Sequence, residues 1–107
     1  MNRLNKAIIY TRSATDNFDN LKQQEVICRT LCKKRGLVVD SVFSDPATSG
    51  FDGKQIEFQR MLGYLKNNKT KQFSIVMTRP DRLSRRLCEV VSRTNLLEEY
   101  GTVIFSS

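Results

Sequence analysis

Four short apolar runs along the chain have the composition of buried β-strands. Each run is rich in Val, Ile or Phe and is separated from the next by a longer segment of mixed polarity. The predicted strands cover residues 6–10, 37–44 and 73–78, and a fourth begins at 103–105. Asp40 interrupts the apolar pattern of the second run, which indicates a strand at the edge of a sheet.

The segments between these runs have the residue spacing of amphipathic helices. The first helix is predicted to begin at Asn20, which forms a capping pattern with Gln23, and to end at Gly36. Gly101 is predicted to end the third helix. Apolar residues three and four positions apart mark the other two helices, at Phe58, Met61, Leu62 and Leu65 and at Leu83, Leu87, Val90, Val91 and Leu97.

The alternation of strands and helices predicts an α/β fold, with a mainly parallel sheet of four or five strands and helices on both faces. Crossovers between parallel strands are almost always right-handed, so the sheet becomes the middle of three layers. A length of 107 residues fits one such domain, 1–107, and is too short for a second one. We expect the first strand to be central, and we expect more chain to follow the fourth strand.

The charge of the chain favours a polyanionic partner. Lys and Arg number 18 against 11 Asp and Glu, which gives a formal net charge of +7. A field of this sign attracts nucleic acid, although basic residues also serve solubility. An anionic membrane is the weaker alternative, and no apolar run is long enough to span a bilayer. No signal peptide is indicated at the start of the chain, so a cytoplasmic protein is expected.

The three cysteines are predicted to be buried, reduced thiols. Cys28 and Cys32 are four residues apart on one predicted helix face, which is not the spacing of a Cys-x-x-Cys metal pair. The third is Cys88, and the chain has no His to complete a zinc site. The pattern predicts neither a metal site nor a disulfide, as is usual in the cytosol.

Arginines and hydroxyl residues follow three of the predicted strands. They lie in the segments 11–15, 44–50 and 79–86. Open α/β sheets bind ligands at the carboxyl ends of their strands, so these segments are expected to form one site. A nucleotide-binding domain of the same topology is disfavoured, because the chain has no glycine-rich phosphate loop.

The third of these segments is the richest in arginine. Arg82 and Arg85 are three residues apart and are predicted to share the first turn of the third helix, with Arg86 on the same flank. Cations at a helix N-terminus oppose the helix dipole, so they need a compensating anion. A local ion pair with Asp81 would serve, and so would a bound phosphate. Because Arg12 approaches from the neighbouring strand, we favour the phosphate.

Several segments resemble the motifs of serine site-specific recombinases of the resolvase/invertase family. Residues 10–14, Tyr-Thr-Arg-Ser-Ala, are similar to the family's Tyr-x-Arg-x-Ser, and residues 81–85, Asp-Arg-Leu-Ser-Arg, match its Asp-Arg-Leu-Ser/Gly-Arg block. Residues 20–24 resemble its Ser-Leu-x-x-Gln, residues 45–50 its Asp-x-x-x-Ser-Gly loop, and residues 58–62 its next helix. The resemblance implies a three-layer resolvase-like catalytic domain, and the length of 107 residues predicts no separate DNA-reading domain beside it.

The resemblance also implies an activity, site-specific DNA recombination without a metal or a small-molecule cofactor. In this family a serine attacks a DNA phosphodiester to give a 5′-phosphoserine, and strands exchange within a tetramer assembled from homodimers. Arg12, Arg82 and Arg85 would stabilise the charge that gathers on the phosphoryl group, and Asp81 would orient an arginine or handle a proton. The residues implied to contact DNA are Gln24, Asp45, Ser49, Lys54, Gln55 and Arg86.

Three positions depart from the family pattern, one of them Phe18, where many members carry a glutamine. Ala14 stands at the position of the nucleophilic serine, and a methyl group cannot attack phosphorus. Ser13 is adjacent, but neighbouring side chains on an extended backbone point to opposite sides, so it would need a local twist to act instead. Gln55 stands where the family usually has an arginine, with Lys54 as the nearest charge. Two hypotheses follow: a recombinase with impaired cleavage, or a non-catalytic DNA-binding or assembly module.

Overall fold

Strands and helices alternate along the chain as the sequence predicts. The structure, a computed structural model, describes residues 5–13, 18–46, 55–68, 72–84 and 86–106. In chain order its elements are β1 (Lys6–Arg12), α1 (Phe18–Lys34), β2 (Val38–Asp45), α2 (Ile56–Asn67), β3 (Phe73–Met77), a short 3-10 helix (Pro80–Arg82), α3 (Leu87–Glu98) and β4 (Gly101–Phe105).

The four strands of the described residues form one parallel sheet in the order β2-β1-β3-β4. The predicted α/β fold is confirmed, and β1 is central as expected. β2 is an edge strand, which fits the carboxylate of Asp40 within it. The β1–β2 ladder continues to the last pair, Arg12 opposite Asp45, so these two strands end at the same level.

Helices cover both faces of the sheet. α1 packs Cys28 and Cys32 on one face, against Ala7, Ile9 and Val76. Successive strand side chains point to opposite faces, and burial on both faces accounts for the continuous apolar run of β1. The larger cluster, on the α2 and α3 side, contains Ile8, Tyr10, Phe58, Met61, Leu62, Leu65, Phe73, Ile75, Met77, Leu83 and Leu97.

The third helix begins later than the apolar spacing predicts. Leu83 is fully buried in the core but precedes α3, which starts only at Leu87. The N–H groups of Arg82 and Leu83 donate to carbonyls three residues earlier, which forms the 3-10 helix, and the N–H of Arg86 donates to Ser84 Oγ at 3.1 Å. The expectation that Arg82 lies in the first turn of the third helix is therefore wrong. Helix-dipole effects fall off within one turn, so the dipole of α3 does not disfavour the charge of Arg82 as the sequence predicted.

Gly36 and Gly101 each occupy a position that favours glycine, for different structural reasons. Gly36 has a φ of 71° and ends α1, as predicted, because a left-handed conformation costs other residues more. Gly101 begins β4 instead of capping α3. A Cβ at this position would lie 2.0 Å from the carbonyl oxygen of Phe73 on the neighbouring strand, so a side chain cannot be accommodated.

The cysteine prediction is confirmed for two of the three thiols. Cys28 and Cys32 are buried, and burial raises the pKa of Cys28 to about 12. Cys88 is exposed on α3, so its predicted burial is wrong.

Among the helices of the described residues, none combines the length and the apolar character that crossing a bilayer would require.

Candidate functional site

Arg12 and Arg82 hold one another at the carboxyl end of the central strand. The Nε of Arg12 donates to the carbonyl oxygen of Arg82 at 2.9 Å, and an Nη of Arg82 donates to the carbonyl oxygen of Arg12 at 3.1 Å. A second Arg12 nitrogen donates to the carbonyl oxygen of Asp81 at 2.6 Å. The structure thus brings together the segments after β1 and β3, as the sequence predicted. We call this reciprocal arrangement the arginine clasp.

The carboxylate of Asp81 lies beside the clasp. Its oxygens are 3.7 Å from Arg82 Nε and 3.5 Å from an Nη of Arg79. The predicted local ion pair is present, but half-exposed pairs at such distances contribute less than about 1 kcal/mol. The Nε of Arg82 is buried and has no hydrogen-bond partner among the described residues. The partly exposed Asp81 carboxylate therefore lies near two guanidinium groups, those of Arg79 and Arg82.

Gln24 fixes the main chain from which Arg12 projects. Its side-chain oxygen accepts the N–H of Arg12 at 3.2 Å, and its amide nitrogen donates to the carbonyl oxygen of Arg12 at 2.9 Å. The same nitrogen donates to Asn20, one turn earlier on α1. Gln24 is 4% exposed, so its observed role is to position Arg12, and a direct contact with DNA stays a prediction.

Asp45 caps α2 from the end of β2. Its two carboxylate oxygens accept the N–H groups of Glu57 and Phe58 at 2.9 and 3.0 Å, and one of them also accepts the Tyr10 hydroxyl at 2.6 Å. A negative charge is favourable at a helix N-terminus, where the first N–H groups have no partner within the helix. Asp45 is 1% exposed. It therefore sets the position of α2, and the predicted DNA contact remains untested.

Tyr10 links the hydrophobic core to this polar network. Its ring meets Phe58 edge-on at 5.6 Å, which confirms the predicted core position. Its hydroxyl donates to Asp45 and accepts the amide N–H of Gln55 at 2.7 Å. Burial raises the pKa of Tyr10, and the hydrogen bond to Asp45 raises it further. The hydroxyl therefore stays protonated at neutral pH and acts as a fixed donor.

Replacing Tyr10 with Phe is expected to lower the free energy of unfolding by about 1–3 kcal/mol, because Asp45 loses a donor and the Gln55 amide loses an acceptor in a buried setting. Urea denaturation measures this change. Tyr100→Phe is the matched control, since Tyr100 packs on the same core and its hydroxyl has no hydrogen-bond partner among the described residues. Equal losses of unfolding free energy in the two variants would contradict a stabilising role for the hydrogen bonds of the Tyr10 hydroxyl.

Ser84 organises the entry into α3. Its hydroxyl donates to Glu89 and accepts the N–H of Arg86, whose own side chain is exposed. The hydrogen bond from Ser84 lowers the pKa of Glu89, and the charges of Arg93 and Arg86 lower it further. A folded-state pKa below the unfolded one stabilises the fold at higher pH, and this stabilisation is lost as pH falls through the folded value.

Ser84→Ala is therefore expected to raise the pKa of Glu89 and to reduce this pH dependence of stability. An NMR titration of the Glu89 carboxyl measures the shift directly. Ser92→Ala, which removes a hydroxyl from the exposed face of the same helix, should leave that titration unchanged. A Glu89 pKa that does not respond to Ser84→Ala would refute the hydrogen bond as its cause.

Sequence reasoning missed Arg93 on α3. The structure places one of its Nη atoms in hydrogen bonds to the side-chain oxygen of Gln55 and the carbonyl oxygen of Leu83. Its guanidinium carbon lies 5.0 Å from the centre of the Phe58 ring. Along the sequence Arg93 is one more polar residue on an amphipathic helix, four positions after Glu89, so no local signal distinguishes it.

Of the remaining residues predicted for the site, Ser13 is described by the structure and the others are not. Ser13 is 4% exposed, and its N–H continues the strand ladder to the carbonyl oxygen of Asp45 at 3.1 Å. Its role as a substitute nucleophile stays a prediction. The others lie outside the described residues, and their roles stay predictions: Ala14, Ser49, Lys54 and Arg85.

The comparison with protein families identifies the class of this chain. Residues 7–107 match the model of the resolvase N-terminal domain. The chain belongs to this family, whose activity is site-specific recombination. No curated protein sequence matches the chain.

Solved structures of serine recombinases share the fold. The N-terminal catalytic domain of TP901-1 integrase is 21% identical, with a TM-score of 0.80 over 94% of this chain and 77% of that one. The C-terminal catalytic domain of ISC1926 TnpA, an IS607-like serine recombinase, is 19% identical, with a TM-score of 0.79 over 94% and 70%. A resolvase family site-specific recombinase from Streptococcus pneumoniae is 20% identical, with a TM-score of 0.77 over 95% and 72%. At these identities the similarity establishes the three-layer fold.

Proposed function

We propose that this chain acts in site-specific DNA recombination as a serine-recombinase catalytic domain, and that Ala14 impairs its covalent step. The observation that carries the proposal is the arginine clasp at the carboxyl end of the central strand. Main-chain carbonyls orient the guanidinium groups of Arg12 and Arg82, and a carboxylate oxygen of Asp81 lies 3.7 Å from Arg82 Nε. In this proposal a DNA phosphate binds at the two guanidinium groups, whose forked donors match its oxygens.

The clasp is suited to stabilise a phosphoryl transition state. Negative charge increases on the phosphoryl oxygens as the DNA strand is cut, and donors oriented beforehand need no reorganisation at that moment. In this proposal Arg12, Arg82 and Arg85 contact the phosphate, and Asp81 orients Arg82 through its nearby carboxylate. If residue 14 carried a hydroxyl, its oxygen would bond to phosphorus as the phosphorus bond to the 3′ oxygen breaks. The products would be a 5′-phosphoserine and a free 3′-hydroxyl, with neither metal nor cofactor.

The proposed DNA contacts fall into direct and indirect ones. Gln24, Asp45 and Gln55 are buried and act through Arg12, α2 and Tyr10, which they position. Direct contacts with the sugar-phosphate backbone are proposed for Ser49, Lys54 and Arg86. The proposal also includes assembly of homodimers into a tetramer and a cytoplasmic location.

A second candidate function is a non-catalytic DNA-binding or assembly module on the same fold. Ala14 and Gln55 favour it, because each stands where the family pattern has a residue of the chemistry. Both functions require the positive site, so DNA binding alone does not separate them. They differ in whether the site still supports cleavage once a nucleophile is present.

The experiment is therefore the trapping of covalent DNA adducts by the unmodified chain and by an Ala14→Ser variant. Adduct formation by the variant alone supports an impaired recombinase. DNA binding without an adduct in either protein supports the non-catalytic module. Absence of DNA binding in both would contradict the two proposals together.

A further inference from the structure

Arg93 connects two parts of the site that the strand ends alone do not join. Its guanidinium group reaches from α3 to Leu83, directly after the clasp residue Arg82, and to Gln55, the residue before α2. It also lies over the ring of Phe58 in the first turn of α2. One side chain thus contacts the 3-10 turn and the N-terminus of α2.

The contact with Leu83 gives the turn a second arginine anchor besides Arg12. Arg12 donates to the carbonyl oxygen of Arg82, and Arg93 donates to the next carbonyl along the chain. Leu83 is fully buried, so water does not readily replace a donor lost there. Two arginines from different elements therefore fix two successive carbonyls of the segment that presents Arg82.

The contact with Gln55 determines the direction of the hydrogen bonds around Tyr10. A guanidinium group has donors only, so the side-chain oxygen of Gln55 must face Arg93 and its amide nitrogen must face the Tyr10 hydroxyl. That hydroxyl then accepts from Gln55 and gives its proton to Asp45. Arg93 thereby sets the donor and acceptor order of a network that ends at the N-terminus of α2.

We propose that Arg93 is a positioning residue of this site, which holds the turn bearing Arg82 and orients Gln55 and Tyr10 against Asp45. Its importance for recombination rests on the proposed function. Its effect on the geometry of the clasp does not.

The first test measures the clasp in the unmodified chain. Side-chain NMR follows solvent exchange of the Arg12 Nε–H, which is hydrogen-bonded to the carbonyl of Arg82. Arg93→Gln is expected to accelerate this exchange by about tenfold or more, because the turn opens more often when one of its two anchors is removed. Arg29→Gln is the matched control, since Arg29 pairs with Glu25 on an exposed face of α1. Equal exchange rates in both variants would overturn the proposal.

The second test measures the consequence for chemistry in the Ala14→Ser background. Arg93→Gln is expected to slow adduct formation by about 10- to 100-fold, since small displacements of positioning groups have effects of this size, while affinity for a mixed-sequence duplex changes little. Arg93→Lys should recover part of the rate, because an ammonium group can reach one of the two acceptors. Rates are compared at a temperature where circular dichroism shows every variant folded.

The outcomes separate this proposal from the proposed function. A rate that is unchanged by Arg93→Gln, or a parallel loss of rate and affinity that Arg93→Lys does not relieve, would refute the positioning role. If Ala14→Ser forms no adduct at all, the proposed chemistry fails, and the exchange measurement on the unmodified chain still decides the role of Arg93.

Discussion

The Ala14→Ser variant is expected to form at least about a thousandfold more covalent DNA adduct than the unmodified chain, in which residue 14, the proposed nucleophile position, carries a methyl group instead of a hydroxyl. The retained clasp of Arg12 and Arg82 supplies oriented positive charge, so the added hydroxyl should meet a site already arranged for phosphoryl transfer. A duplex pool with 3′-bridging phosphorothiolates is a suitable substrate. The sulfur leaving group is a weak nucleophile toward the phosphoserine, so the adduct accumulates and can be located by mass spectrometry.

Controls distinguish the attacking residue from its surroundings. Ala14→Val changes the side chain without adding a hydroxyl and should give no adduct. Ser13→Ala in the unmodified chain tests the neighbouring hydroxyl. An adduct on the unmodified chain that disappears with Ser13→Ala would make Ser13 the nucleophile. Should Ala14→Ser succeed only together with Gln55→Arg, the missing arginine at position 55 is a second lesion in the site.

Replacing both Arg82 and Arg85 with Ala is expected to abolish sulfate binding at the site and to reduce adduct formation in the Ala14→Ser background by about 100- to 1000-fold or more. The physical reason is the loss of two guanidinium donors that, in the proposed function, stabilise the charge of the phosphoryl group without a metal. The slope of log affinity for DNA against log salt should also decrease by about two, since two fewer phosphate contacts release counterions. Calorimetry, adduct trapping and a salt series measure the three effects.

A matched control separates local contacts from total charge. Lys33→Ala with Lys34→Ala removes the same charge from the exposed C-terminal turn of α1, away from the clasp. This variant should retain sulfate binding and the adduct rate. Thermal unfolding of each variant shows whether loss of the hydrogen bond from Arg82 to Arg12 has destabilised the fold. Sulfate binding that survives in a folded Arg82→Ala, Arg85→Ala chain would remove the phosphate interpretation.

Much of the architecture was predictable from local patterns. The apolar run of β1 required burial on both faces, and the alternation of elements then placed it centrally in a parallel sheet. The motif arginines followed strand ends, so their convergence could be predicted before any distance was known. That prediction is confirmed for Arg12 and Arg82, whereas the position of Arg85 lies outside the described residues.

The start of α3 could not be predicted in the same way. Leu83 continues the apolar spacing of the helix, but its burial comes from the 3-10 turn, whose end is fixed by the side chain of Ser84. Hydrophobic spacing reports which residues are buried and is insensitive to a short interruption between two helical segments.

The sequence by itself determined the fold class, the central strand and the edge of the sheet at which the arginines meet, because these depend on periodicity and on the handedness of crossovers. The tertiary structure alone decided how those residues are held. Gln24, Asp45 and Arg93 are distant along the chain from the groups that they bind, and their hydrogen bonds leave no periodic pattern. Such contacts arise only when helices and strand ends pack together and each buried donor must find an acceptor.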